Sequence, residues 1–146
     1  MERRAISLYE RGLHLCREEG LGEVLSRLLR DEKEHLRRFE AMGAPGRESL
    51  PLEEGLRISA YAAKVLFPGG LMQAGREGAL ADAAALLAFA RNSEETAAAC
   101  YRALAAAWES PALREVFEAI AQEEEGHLEA IEAQLRGLEG RAPEAP

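Results

Sequence analysis

The chain repeats itself at an offset of 92 residues. Glu2 falls on Glu94, Ala5 on Ala97 and Tyr9 on Tyr101. Leu21 falls on Leu113, Val24 on Val116, Leu28 on Ile120, Glu32 on Glu124, His35 on His127 and Leu36 on Leu128. Two of the three tyrosines and two of the three histidines are matched, so chance is a poor explanation. Each half reads Glu-x-x-Ala-x-x-x-Tyr, then a Glu-x-x-His that starts thirty residues after the first glutamate. A chain made of two copies of one unit is constrained to a fold in which the copies pack together.

The unit is helical. The sequence is 47% apolar and 30% charged, and it is rich in Ala, Leu, Glu and Arg, the strong helix formers. Its 146 residues suffice for one domain with one core. Apolar residues recur at spacings of three and four, and no alternating strand pattern appears. A first helix over 2–17 carries Glu2, Ile6, Tyr9, Leu13 and Cys16 on one stripe, and Gly20 and Gly22 bracket a turn. A second carries Leu21, Val24, Leu28, Glu32, His35, Phe39 and Met42, and ends at Gly43-Ala-Pro45-Gly46. A third, shorter helix is predicted over 52–67, before Pro68-Gly69-Gly70. A long helix over 78–108 follows, with Leu80, Leu87, Glu94, Tyr101 and Trp108 at intervals of seven. Ser110-Pro111 reads as an N-cap with proline at the first helical position. The last helix carries Leu113, Phe117, Ile120, Glu124, His127, Ile131 and Leu135. The expected fold is an all-α antiparallel four-helix bundle in a single domain over 1–146. Two hairpins, 1–42 and 78–139, are joined by a long crossover, 43–77, that holds the extra short helix. The tail, 140–146, is expected to fray.

Four stripes carry a carboxylate where the period demands an apolar side chain: Glu2, Glu32, Glu94 and Glu124. A lone buried carboxylate costs several kcal/mol or takes up a proton, so four need a shared compensation. His35 and His127 each follow a glutamate by three, which puts both side chains on one helix face. One such pair alone is most often a surface feature; two in register with the repeat are not. Thirty residues out and back is about fifteen each way, or roughly 22 Å of helix. The midpoints fall near Arg17 and Glu109, beside the two turns, so each first glutamate returns to the level of its Glu-x-x-His. Four carboxylates and two neutral imidazoles then meet at one level. Their charge of about −4 matches two divalent ions, and an oxygen-rich set without thiolates suits iron or manganese better than structural zinc.

Other readings are bounded by composition. A net charge of −8 and a sequence pI near 5.0 argue against a nucleic-acid partner. Cys16 and Cys100 form no C-x-x-C pair and read as packing residues. The polar, periodic start and the absence of a long apolar run predict no signal peptide, no membrane span and a cytoplasmic protein. Tyr9 and Tyr101 stand two turns, about 10 Å, from Glu2 and Glu94, and lean back toward the carboxylate level. Each either hydrogen-bonds a ligand carboxylate or simply packs. His14, Glu34, Glu95, Glu123 and Glu125 read as solvated helix faces. The crossover is apolar from Leu56 to Met72, which predicts a cover for the bundle, a dimer interface or a lid over a hydrophobic substrate. Two similar hairpins on a long connector also invite exchange between subunits of a homodimer.

The motifs Glu2-Arg-Arg-Ala5-Ile-Ser-Leu-Tyr9, Asp31-Glu32-Lys-Glu-His35, Glu94-Glu-Thr-Ala97-Ala-Ala-Cys-Tyr101 and Glu123-Glu124-Glu-Gly-His127 resemble the rubrerythrin branch of the ferritin-like superfamily. Ferritin-like di-iron and di-manganese proteins take one glutamate from each of two helices and Glu-x-x-His from each of the other two. The resemblance implies a ferritin-like bundle with Glu2, Glu32, His35, Glu94, Glu124 and His127 around two iron ions, or manganese, or one of each. It further implies reduction of peroxide or dioxygen, with electrons from an external donor such as a rubredoxin-type protein. Oxygenation of a hydrophobic substrate, and iron binding with ferroxidase activity, are the alternatives within the same superfamily. The chain departs from rubrerythrins proper in two ways. It has no four-cysteine iron site, and Ala97 stands one turn after Glu94, where they carry an exchangeable glutamate.

Overall fold

The protein is described here from a computed structural model that covers residues 1–15, 20–42, 53, 56–58 and 70–140; of Met42, Gly70 and Leu71 only the backbone is considered. The described residues form helices and turns, without a strand. The helices are α1 (Glu2–Leu15), α2 (Leu21–Met42), α3 (Gly70–Arg76), α4 (Ala83–Ala107) and α5 (Pro111–Glu139). Helices α1 and α2 pack as one hairpin and α4 and α5 as another; α1 also meets α4 and α3, and α2 meets α5. No helix among the described residues is long and apolar enough to cross a membrane.

The first hairpin turns at Gly20, whose φ of +89° lies in the left-handed region that glycine adopts without a steric penalty. The second turns through Trp108, in extended backbone, into Pro111 at the start of α5. Ser110 stands at the N-cap as expected, but its side chain makes no capping bond. The long helix starts at Ala83 rather than 78. Gly78, at φ +75°, closes a turn over α3, and Asp82 then caps α4 by accepting from the Ala85 amide at 2.8 Å. The stripe read from Leu80 therefore begins before its helix does. Helix α3 was not expected: it begins at Gly70, where the breaker triplet ends. Of the helix predicted over 52–67, residues 53 and 56–58 are helical, and the rest lies outside the described residues. So do Cys16 and the tail beyond Gly140.

The core comes in two apolar blocks. One gathers Leu8, Tyr9, Leu21, Leu25, Leu28, Leu86, Leu87 and Ile131. The other gathers Tyr101, Leu104, Trp108, Leu113, Phe117 and Ile120. Along α4 the two blocks are separated by Glu94, and along α5 by Glu124 and His127. A buried polar layer thus divides the bundle, held on both sides by close-packed apolar residues.

Candidate metal centre

The polar layer consists of Glu2 on α1, Glu32 and His35 on α2, Glu94 on α4, and Glu124 and His127 on α5. Each is between 0 and 7% exposed. Glu32, Glu94, Glu124 and His127 each offer a ligand atom, and these atoms lie within 4.8 Å of one another. The Nδ1 atom of His127 stands 3.0 Å from Glu124, 3.5 Å from Glu94 and 3.6 Å from Glu32. The Nδ1 atom of His35 stands 3.3 Å from Glu124 and 3.8 Å from Glu32. Glu2 joins Glu32, Glu94 and Glu124 in the wall of a small cavity of about 20 Å³, completed by Met1, Arg4, Ala5, Ser93 and Ala97. The six residues singled out by the repeat are therefore neighbours in space.

Contacts around them cross between the hairpins. Tyr9 donates to Glu94 and Tyr101 donates to Glu2, so each tyrosine reaches the glutamate of the other half rather than its own. Tyr9 packs with Leu86 and Leu87 on one side of the layer and Tyr101 with Met1 on the other, so α1 and α4 run antiparallel. The histidines cross likewise. His35 Nε2 donates to Glu123 at 2.7 Å, and His127 Nε2 donates to Asp31 at 3.3 Å. Arg38 also donates to Glu123, at 2.9 Å. Glu123 is accordingly not a plain solvated residue: it bridges a buried imidazole and a guanidinium. The sequence reading missed Asp31 in this role as well. Its signal was available, since both Glu-x-x-His motifs are preceded by an acid and those acids are 92 residues apart. Of the remaining solvated-face assignments, His14 and Glu95 are exposed, Glu34 pairs with Arg37 and Arg38, and Glu125 pairs with Arg102.

Charge in the layer is unbalanced by burial. Burial disfavours the imidazolium of His35, but Glu124, Glu32 and Glu123 outweigh it and push the pKa up to about 10. His127 is pushed up to about 12, against burial, by Glu124, Glu32 and Glu94. Burial, with Glu32 and Glu94 nearby, lifts Glu124 to about 7 although both histidines oppose it. Glu94 is buried too, yet His127 and Tyr9 hold its carboxyl below the usual range. Burial and the adjoining glutamates raise both tyrosine hydroxyls far above the ordinary phenol, so they remain donors. Burial, aided by Glu2, raises the Cys100 thiol to about 11; it stays protonated, as a packing residue does.

These residues fit a cation. His35 Nδ1 is buried with no hydrogen-bond partner, an expensive state for a polar atom. It faces Glu32 on its own helix and Glu124 on α5, and the set offers only carboxylate oxygen and imidazole nitrogen, the donors of iron and manganese sites.

Residues 85–143 match the family model for Rubrerythrin. The match spans the second hairpin, and it and the all-helical architecture are consistent with a ferritin-like, rubrerythrin-type protein. The buried Glu/His group within this architecture is a candidate metal site. No curated protein and no solved structure matches the chain.

Proposed function

We propose that Glu2, Glu32, His35, Glu94, Glu124 and His127 hold two metal ions, iron first and manganese or a mixed pair as the alternative. We further propose that the centre reduces peroxide or dioxygen with electrons from an external donor of the rubredoxin type. The observation that carries this reading is the orientation of the two imidazoles. Both turn Nδ1 toward shared, buried carboxylates and Nε2 toward an outer acid. Bound iron would supply one-electron redox chemistry at this place.

The chain's own part is electrostatic and positional. Four buried carboxylates offset two divalent cations that the interior would otherwise exclude. Donation from Nε2 to Asp31 or Glu123 fixes the tautomer that leaves an Nδ1 lone pair facing inward. Tyr9 and Tyr101 hold Glu94 and Glu2 in place from within the apolar blocks. The cavity beside the glutamates has room for little more than one water. The small side chains Ala5, Ser93 and Ala97 form part of its wall.

Anaerobic Fe(II) loading followed by elemental analysis should give about two ions per chain. Stopped-flow mixing should then show faster oxidation by peroxide than by dioxygen. Failure to retain any transition metal after reconstitution would remove the metal reading altogether. Equal or faster oxidation by dioxygen, with release of the oxidised iron, would replace the peroxidase with a ferroxidase.

A further inference from the structure

The repeat makes the two halves nearly equivalent, and the equivalence fails behind the histidines. Asp31 and Glu123 hold matching positions, and each accepts from the imidazole Nε2 of the other half. Their side chains are similarly exposed, 41% and 38%. Glu123, however, also accepts from Arg38. The position that matches Arg38 in the second half is Ala130, and among the described residues no arginine or lysine pairs with Asp31. His127 therefore rests on a carboxylate with its full charge, and His35 on one that shares its charge with a guanidinium. An uncompensated acceptor raises the basicity of the imidazole that donates to it, while a cation on that acceptor draws the charge away. The His35 contact is the shorter of the two, 2.7 Å against 3.3 Å, and length alone would favour it; the guanidinium on Glu123 works against that by drawing charge off the acceptor.

We propose that Arg38 makes the two metal positions unequal, so that the ion on His127, backed by Asp31, binds first and more tightly than the ion on His35, backed by Glu123. This rests on the two-ion reading above. Asp31, Glu123 and Arg38 act through the histidines and are positioning residues.

Titration of the metal-free full chain with Co(II), followed by visible absorption and calorimetry, tests it. Two steps in the wild type are not enough, because repulsion between two ions splits the steps of a symmetric site as well. The variants discriminate. Asp31→Asn should weaken the first step, on the order of tenfold, the low end for loss of such a partner. Glu123→Gln should leave the first step unchanged and weaken the second by a similar factor. Arg38→Gln should strengthen the second step and narrow the gap. In a symmetric site, by contrast, Asp31→Asn and Glu123→Gln would have the same effect on both steps, and that result overturns the proposal while leaving the metal centre intact. A wild type that binds no Co(II) overturns the metal centre itself, and this inference with it. Should Asp31→Asn lose its helical circular dichroism, Arg38→Gln decides alone: an unchanged gap refutes the asymmetry.

Discussion

A histidine that serves a metal must give up the proton on its ligating nitrogen, and this layer makes that proton hard to remove. With pKa values raised to about 10 and 12, His35 and His127 are both imidazolium in the metal-free protein at neutral pH. Their contribution to stability is complete below the ordinary 6.5 and is lost only as pH rises through about 10 to 12. Glu124 is also raised, to about 7, so its contribution is present below the ordinary 4.5 and is lost as pH rises through about 7. Glu94, held low, loses its contribution only in acid, below that window. The metal-free protein should therefore become less stable from pH 4.5 to 7. Metal binding should run the other way, releasing about one proton per ion and tightening as pH rises. Thermal melts with and without Mn(II) across this range check both signs; a metal-induced rise in Tm that ignores pH would contradict them. His127→Ala and Glu32→Ala should each abolish metal-dependent oxidation and most of the metal-induced rise in Tm, yet retain the helical spectrum, since the apolar blocks are untouched. Mutants that melt and react like the metal-loaded wild type would return these residues to the status of ordinary helix pairs.

At the scale of the helices, glycines in similar sequence settings differ because of what faces them. Gly12 is buried in α1, and a Cβ there would stand 2.8 Å from Leu86 Cδ2 and 3.2 Å from Leu25 Cδ1. Both leucines are themselves almost fully buried, with no room to retreat. Gly12→Ala gains helix propensity but overpacks the α1–α4 contact, and the net should be a loss of about 1 kcal/mol. Gly126, one residue before His127, has nothing within 4 Å of a Cβ. Gly126→Ala should therefore stabilise the protein by about 0.5–1 kcal/mol without changing metal affinity. Chemical denaturation of the two variants side by side tests this; equal shifts would mean that the close approach of α1 to α4 is wrong. Asp82→Ala should cost about 1 kcal/mol through loss of the α4 cap.

For the molecule as a whole, the crossed tyrosine and histidine contacts tie the hairpins together at the level of the proposed ions. Metal loading should thus make unfolding of the two hairpins more cooperative, visible as a single sharp transition in calorimetry. Leu15, Leu56 and Met72 are the large apolar side chains left exposed among the described residues. From the two self-similar hairpins on a long connector we propose a homodimer, in which hairpins can be exchanged. Light scattering at micromolar concentration should give twice the chain mass of 15.9 kDa; a monomeric mass would count against it.

The sequence by itself determined the helical class, the two-hairpin plan and the set of carboxylates and imidazoles on the inward stripes. These follow from local periodicity, from breakers such as Gly20 and Pro111, and from a repeat that survives in the letters. Periodicity did not reveal that Leu8, Gly12 and Leu25 join the core, because a stripe drawn through one residue per turn is narrower than the face a bundle covers. Nor could it set the start of α4, where capping by Asp82 overrode an apolar residue at 80. Tertiary structure alone decided that Tyr9 serves Glu94 and Tyr101 serves Glu2, and that Asp31 and Glu123 stand behind the opposite histidines. A helical repeat fixes the face on which a side chain lies, whereas its partner depends on how the second hairpin docks against the first. The same docking placed Arg38 on Glu123 and, among the described residues, no cation on Asp31, a difference carried by a single position in each half and given meaning only by the contact between them.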